Sequence, residues 1–293
     1  MRVALIGAVQ LSEAMLAALT VSPLEVVAVC TRSPKTPSSD QVDLTDAAQT
    51  AGIPVRRVWS MNANDDQQWL MSHSPDIVFC LGWSELLDPR TLELAPGGFI
   101  GFHPAPLPRN RGRHPLIWAL ALGLTETAST FFIMDSGADS GDIISQVRVP
   151  ILEGDYAKDL YERVSQVAEE QIGDIAAGLV NQTLARRPQD PLKATYWRKR
   201  TPADGRIDFR MSSTAIRNLV RALSSPYPGA SFSYGSGEIT VGQAELVSDS
   251  NANDEPGKVL SVSTQAITVK SGDGAIRLTD MSSVPAIGVG EYL

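Results

Sequence analysis

Between residues 101 and 142 the chain concentrates the side chains whose types and spacing could do chemistry. Gly101-Phe102-His103-Pro104-Ala105-Pro106-Leu107-Pro108 leaves an apolar run, and its glycine and prolines fix a loop where a strand would otherwise continue. Arg111-Gly112-Arg113-His114-Pro115 follows, and later a turn-like stretch, Asp135-Ser136-Gly137-Ala138-Asp139-Ser140-Gly141-Asp142. A histidine can take or give a proton near neutral pH. Of the three histidines, only His103 stands at the end of a predicted strand inside a proline-fixed loop. His73 falls in a surface segment before Pro75, and His114 lies beside the loop. Arg111 and Arg113 carry guanidinium forks that suit diphosphate or carboxylate oxygens. Each has a plainer reading: a packed histidine, solvated arginines, and aspartates that cap their own turn.

Those residues need a frame. Apolar runs at 2–6, 26–31, 55–59, 76–81 and 98–102 predict five strands. Helical patterns lie between them, one carrying Met15, Leu16 and Leu19 and one over 45–50. Strands alternating with helices predict an α/β fold with a doubly wound, mostly parallel sheet covered on both faces. Ligands of such a sheet sit outside the carboxyl ends of the strands, where the 101–108 loop belongs. Gly7-Ala8-Val9 lacks the second and third glycines of the dinucleotide fingerprint, which argues against a nicotinamide cofactor. Further on, Pro115 opens a helix to 122, strands are predicted at 129–134 and 143–149, and 155–179 reads as one amphipathic helix. A charged, proline-bearing stretch at 185–193 reads as a linker. Beyond a helix at 213–223, short strands at 230–234, 238–241, 258–262, 266–270 and 275–278 suggest a small β-barrel of the oligonucleotide/oligosaccharide-binding (OB) type. The expected organisation is a catalytic domain at 1–184, a linker at 185–204 and the OB-like domain at 205–293.

Bulk composition narrows the partners. The 293 residues carry a net charge of −8, which provides no broad positive field for a polyanion. The two cysteines, Cys30 and Cys80, each sit in an apolar run and read as buried thiols of a reducing, cytoplasmic compartment, not as a disulfide or metal site. The opening Met1-Arg2-Val3-Ala4-Leu5-Ile6-Gly7 is read as a first strand, not a signal peptide. The apolar stretch at 115–124 is about half of what a membrane span needs, so no membrane association is expected.

The segment described first resembles the folate-dependent formyltransferases. In that family an Asn-x-His at a strand end is followed by Leu-Pro, by Arg-Gly and by a proline opening a helix. A distant Asp-x-Gly turn completes the pattern, here Asp139-Ser140-Gly141. The likeness continues through 118–130, through Tyr196-Trp197-Arg198-Lys199-Arg200 and 201–209, and through Pro226-Tyr227-Pro228-Gly229, so it covers nearly the whole chain. It is strongest to enzymes acting on nucleotide-linked amino sugars, such as the module that formylates a UDP-linked 4-amino-arabinose. Methionyl-tRNA formyltransferase is similar but more distant.

The resemblance implies transfer of a formyl group from 10-formyltetrahydrofolate to the amino group of a nucleotide-linked amino sugar, with no metal. His103 would move the proton and Asp139 would hold and charge-stabilise its ring. Trp83, Leu86 and Leu87 of the 82–87 segment would line the folate pocket, with Asp135 and Gly137 on its other side. Arg111, Arg113, His114 and Gly101 would face the substrate. A homodimer is one assembly open to this reading. One position departs from the pattern: the family's asparagine, a donor to the developing oxyanion, falls at Gly101. Another donor takes its place, or the backbone amide does, or the chain is a weak or non-catalytic, folate-binding relative. The first is expected, with Asn110 and His114 the nearby candidates. A transfer-RNA substrate is the alternative. Against it, the 31–43 segment is short and mixed in charge, and after Arg221 three basic residues face eight acidic ones.

Overall fold

The computed structural model describes residues 1–32, 40–248 and 251–293; most of the 31–43 segment, residues 33–39, lies outside them. The chain divides into two compact units. The first comprises residues 1–115, 127–150 and 162–197, the second 116–126, 151–161 and 198–293.

Apolar runs at the predicted places form strands. In chain order come β1 (Arg2–Ile6), α1 (Gln10–Thr20), β2 (Glu25–Thr31), α2 (Thr45–Thr50), β3 (Val55–Arg57), α3 (Asn64–Ser72) and β4 (Ile77–Cys80). Then follow α4 (Pro89–Leu92), β5 (Phe99–His103), β6 (Arg111–Gly112), α5 (Pro115–Ala121), β7 (Glu126–Ile133), β8 (Ile143–Pro150), α6 (Ala157–Val180) and β9 (Tyr196–Trp197). Helix α4 shows its local cause plainly. Proline occupies its first turn, and the Asp88 side chain caps it by accepting from the Thr91 amide at 2.7 Å.

Seven strands make one sheet in the order β3-β2-β1-β4-β5-β7-β8. The first five run parallel, as the βα alternation predicts; β7 runs antiparallel to β5, which makes the sheet mixed. Val3, Ala4, Leu5 and Ile6 are all fully buried, so both faces of the central strand are covered. On one face Ala4, Ile6, Ala28, Cys30, Val78 and Cys80 recur at every second position and pack with Leu70 of α3. Burial pushes both thiols up to about 12; Asp66 adds to this for Cys30 and Glu85 for Cys80. Both are inert apolar fillers.

The second unit contains α7 (Ser213–Leu223), β10 (Ala230–Tyr234), β11 (Gly237–Val247), β12 (Val259–Val262), β13 (Ile267–Lys270) and β14 (Ala275–Met281). Ser212 caps α7 by accepting from the Ala215 amide at 3.1 Å. The helix buries Ile216, Leu219, Val220 and Leu223. Where a small barrel is expected, the five strands form an antiparallel sheet ordered β10-β11-β14-β13-β12. Among the described residues no helix is long and apolar enough to cross a membrane.

The turn between β7 and β8 is sterically demanding. A Cβ placed on Gly141 would lie 1.7 Å from the Ile133 carbonyl oxygen, inside any permitted contact. Backbone atoms cannot yield as a side-chain tip does. Gly141→Ala should therefore cost roughly 3 kcal/mol or more of stability, beyond the usual range for overpacking. Chemical denaturation reads this directly, and a variant as stable as the parent would contradict the tight turn.

Candidate functional site

Strand β5 ends at His103, whose side chain is 5% exposed. Its Nε2 lies 2.7 Å from the Asn110 carbonyl oxygen. A carbonyl only accepts, so Nε2 carries a proton in this arrangement. Nδ1 faces the carboxylate of Asp139, with Oδ2 at 3.6 Å. The same Oδ2 accepts the Gly112 amide at 2.8 Å, which fixes the carboxylate against the 110–112 segment. One nitrogen is thus committed to the backbone, and the other looks onto a negative charge. The arrangement can accept a proton on Nδ1 and stabilise the resulting cation.

Two residues that build this geometry have left-handed backbone angles: Asn110 at φ +63° and Asp139 at φ +54°. Asn and Asp tolerate that region better than most residues, but it persists only where neighbours enforce it. Asn110 is held by Thr195, whose Oγ1 accepts its amide at 2.8 Å and donates to its Oδ1 at 3.3 Å. The Asp139 turn is held by Gln189, whose Nε2 donates to the carbonyls of Asp139 (2.9 Å) and Gly141 (2.7 Å).

The other expected site residues fall in several environments. Arg111 is 4% exposed, with Nε and Nη2 donating to Gln189 Oε1 at 3.2 and 2.7 Å and Nη1 to the Tyr196 hydroxyl at 2.8 Å. Its fork is engaged within the wall of the site. Arg113 donates to the Ser84 carbonyl at 2.6 Å and so ties its segment to the 82–87 loop. His114, at φ +56°, turns the chain into α5. Asp135 accepts the Gly137 amide at 3.1 Å and the Ser140 hydroxyl at 2.7 Å, capping its own turn. In the 82–87 loop, Arg32 stacks 4.1 Å over the half-buried Trp83 ring, while Leu87 is 6% exposed in the core cluster. Leu86 is 68% exposed and offers apolar surface.

Within the stretch at 185–193, read as a linker, Arg187 bridges to Ile143, and Gln189 joins Arg111 to the Asp139 turn. A glutamine among charged residues carries no pattern that announces such a role. Gly101, where the family pattern has its asparagine, is closely packed. A Cβ there would meet Phe132 Cζ at 2.8 Å and Met134 Cγ at 2.9 Å. The space is apolar and filled, because Gly101 pairs directly with Phe132 of β7. Among the described residues no group of His, Cys, Asp and Glu could hold a metal ion.

Gly101→Asn should therefore force a polar side chain against Phe132 and Met134. The expected loss is roughly 1–3 kcal/mol, the range for overpacked cores. Thermal denaturation checks it; unchanged or raised stability would mean that the two apolar side chains leave the space open.

Comparison with known proteins gives this geometry its context. Residues 1–174 match the family model described as formyl transferase, and residues 199–284 the one described as formyl transferase, C-terminal domain. Among solved structures, WlaRD, a sugar 3N-formyl transferase in the presence of dTDP and 5-N-formyl-THF, is similar at 17% identity and a TM-score of 0.72. The match covers 97% of this chain and 98% of that one. An N-formyltransferase from Helicobacter canadensis, in complex with folinic acid and dTDP-3-aminofucose, matches at 18% identity and a TM-score of 0.72, over 95% of this chain and 98% of that one. Methionyl-tRNA formyltransferase from Clostridium thermocellum matches at 18% and a TM-score of 0.62, over 84% and 94% of the two chains. At such identities structural likeness establishes the fold, and the family models extend over both parts of the sequence. The chain belongs to the formyl transferase family.

Proposed function

We propose that the chain transfers a formyl group from 10-formyltetrahydrofolate to the amino group of a nucleotide-linked amino sugar. The observation that carries this reading is the His103–Asp139 pair, 3.6 Å apart at the carboxyl end of β5 in a chain of this family. The folate would supply the formyl carbon. His103 Nδ1 would accept the proton that the attacking amine loses, and the Asp139 carboxylate would stabilise the charged ring. Asn110 keeps the ring from turning by holding Nε2–H. The exposed Leu86 beside Trp83 is an apolar ledge that a flat ring could cover, which fits a folate.

The sugar-nucleotide substrate draws support from the two similar enzymes that hold dTDP or a dTDP-amino sugar. A net charge of −8 and the acidic C-terminal segment speak against a transfer RNA. On this reading residues 1–184 carry the catalysis, 185–204 connect and 205–293 form the second domain, in a cytoplasmic enzyme that needs no nucleic acid or membrane. One observation favours a second reading, a folate-binding relative without turnover. Phe132 and Met134 fill the place where relatives keep their oxyanion donor, and such a donor is worth ~100- to 1000-fold in rate.

Incubating the protein with 10-formyltetrahydrofolate and a panel of nucleotide amino sugars separates the two readings by mass spectrometry. Formyl transfer to at least one sugar is expected. His103→Ala should lower that turnover at least ~100-fold while the variant remains folded. Near-normal turnover without the imidazole would remove His103 from the mechanism, and folate binding with no transfer to any amine would establish the second reading.

A further inference from the structure

We propose that Gln189 is a positioning residue for formyl transfer, fixing Asp139 against His103 through one fully used carboxamide. The proposal rests on the activity proposed above. It is carried by geometry inside the first unit. Both contacts of the His103 ring come from two chain segments: Asn110 holds Nε2, and Asp139 faces Nδ1. Gln189 joins those segments. Its Oε1 accepts twice from Arg111, the residue after Asn110, at 3.2 and 2.7 Å. Its Nε2 donates twice, to the carbonyls of Asp139 and Gly141 at 2.9 and 2.7 Å.

All of the amide's capacity is therefore spent: two donors and two acceptances. The donor half matters most, because Asp139 sits in the left-handed region at φ +54° and needs external support to stay there. Arg111 is itself held by Tyr196 at 2.8 Å and buried at 4% exposure, so it is a firm anchor and not a mobile surface group. If the carboxamide is lost, the turn can relax and carry the carboxylate away from Nδ1. Small displacements of a catalytic group are enough to slow chemistry about 100-fold.

The carboxamide can be taken apart chemically. Gln189→Glu keeps the acceptor for Arg111 but turns lone pairs toward two carbonyl oxygens, so only the Asp139 side is broken. Gln189→Met keeps the approximate volume and removes both sides. In the folded full-length variants kcat should fall roughly 10- to 100-fold while KM for both substrates stays within about twofold, since ground-state binding is untouched. Placed in an Asp139→Asn background, the same replacements should cost nothing further, because Gln189 acts through Asp139.

A second readout does not depend on turnover. The Gly112 amide, bonded to Asp139 Oδ2 at 2.8 Å, should shift and exchange faster with solvent in both variants by nuclear magnetic resonance. An unmoved Gly112 amide in a folded Gln189→Glu protein would overturn the proposal. So would losses that add to those of Asp139→Asn, or an effect confined to KM. A parent protein without transfer activity would overturn the activity and not the clamp, which the Gly112 amide still reports.

Discussion

The site depends on one constraint: the imidazole of His103 is held between a backbone carbonyl that fixes one nitrogen and a carboxylate that faces the other. The two contacts come from separate parts of the chain. The carbonyl belongs to Asn110, beyond a loop fixed by prolines, and the carboxylate to Asp139, on the hairpin between β7 and β8. Two left-handed residues are needed for this convergence, and each is stabilised by a side chain from the 187–197 segment. The sheet contributes the end of β5, whose neighbours β4 and β7 hold it on both sides. A rigid strand end is where a catalytic group keeps its aim.

The apolar filling beside Gly101 follows from the same strand pairing. Antiparallel register sets Gly101 opposite Phe132, so the glycine lets a large ring lie against β5. A donor side chain there would have to displace that ring. If the proposed transfer proceeds, oxyanion stabilisation must come from a group other than the Gly101 side chain position.

Much of this was legible in the residues. Apolar runs placed the strands of the seven-stranded sheet to within a few positions, because a strand buried on both faces reads as a continuous apolar segment. Proline and glycine marked the loop after His103 and the turn around Asp139, since both act through local backbone preferences. What could not be read were the contacts between distant polar residues. Helix α3 carries Asn64, Asp65, Asp66, Gln67 and Gln68 among few apolar positions, and its pattern is too polar to announce burial. Gln189 sits among arginines, prolines and aspartates that look like a solvated connection. The antiparallel pairing of β5 with β7 is a tertiary choice that no local pattern encodes.

The most direct test of the account is the proton arrangement on His103, read from ring nitrogen resonances of the histidine-labelled protein. The three histidines can be assigned by substituting each in turn. The geometry predicts a proton on Nε2, donated to the Asn110 carbonyl, with Nδ1 the nitrogen that gains and loses its proton beside Asp139. A neutral ring protonated on Nδ1 with a bare Nε2 would contradict it, because a bare nitrogen cannot bond a carbonyl oxygen.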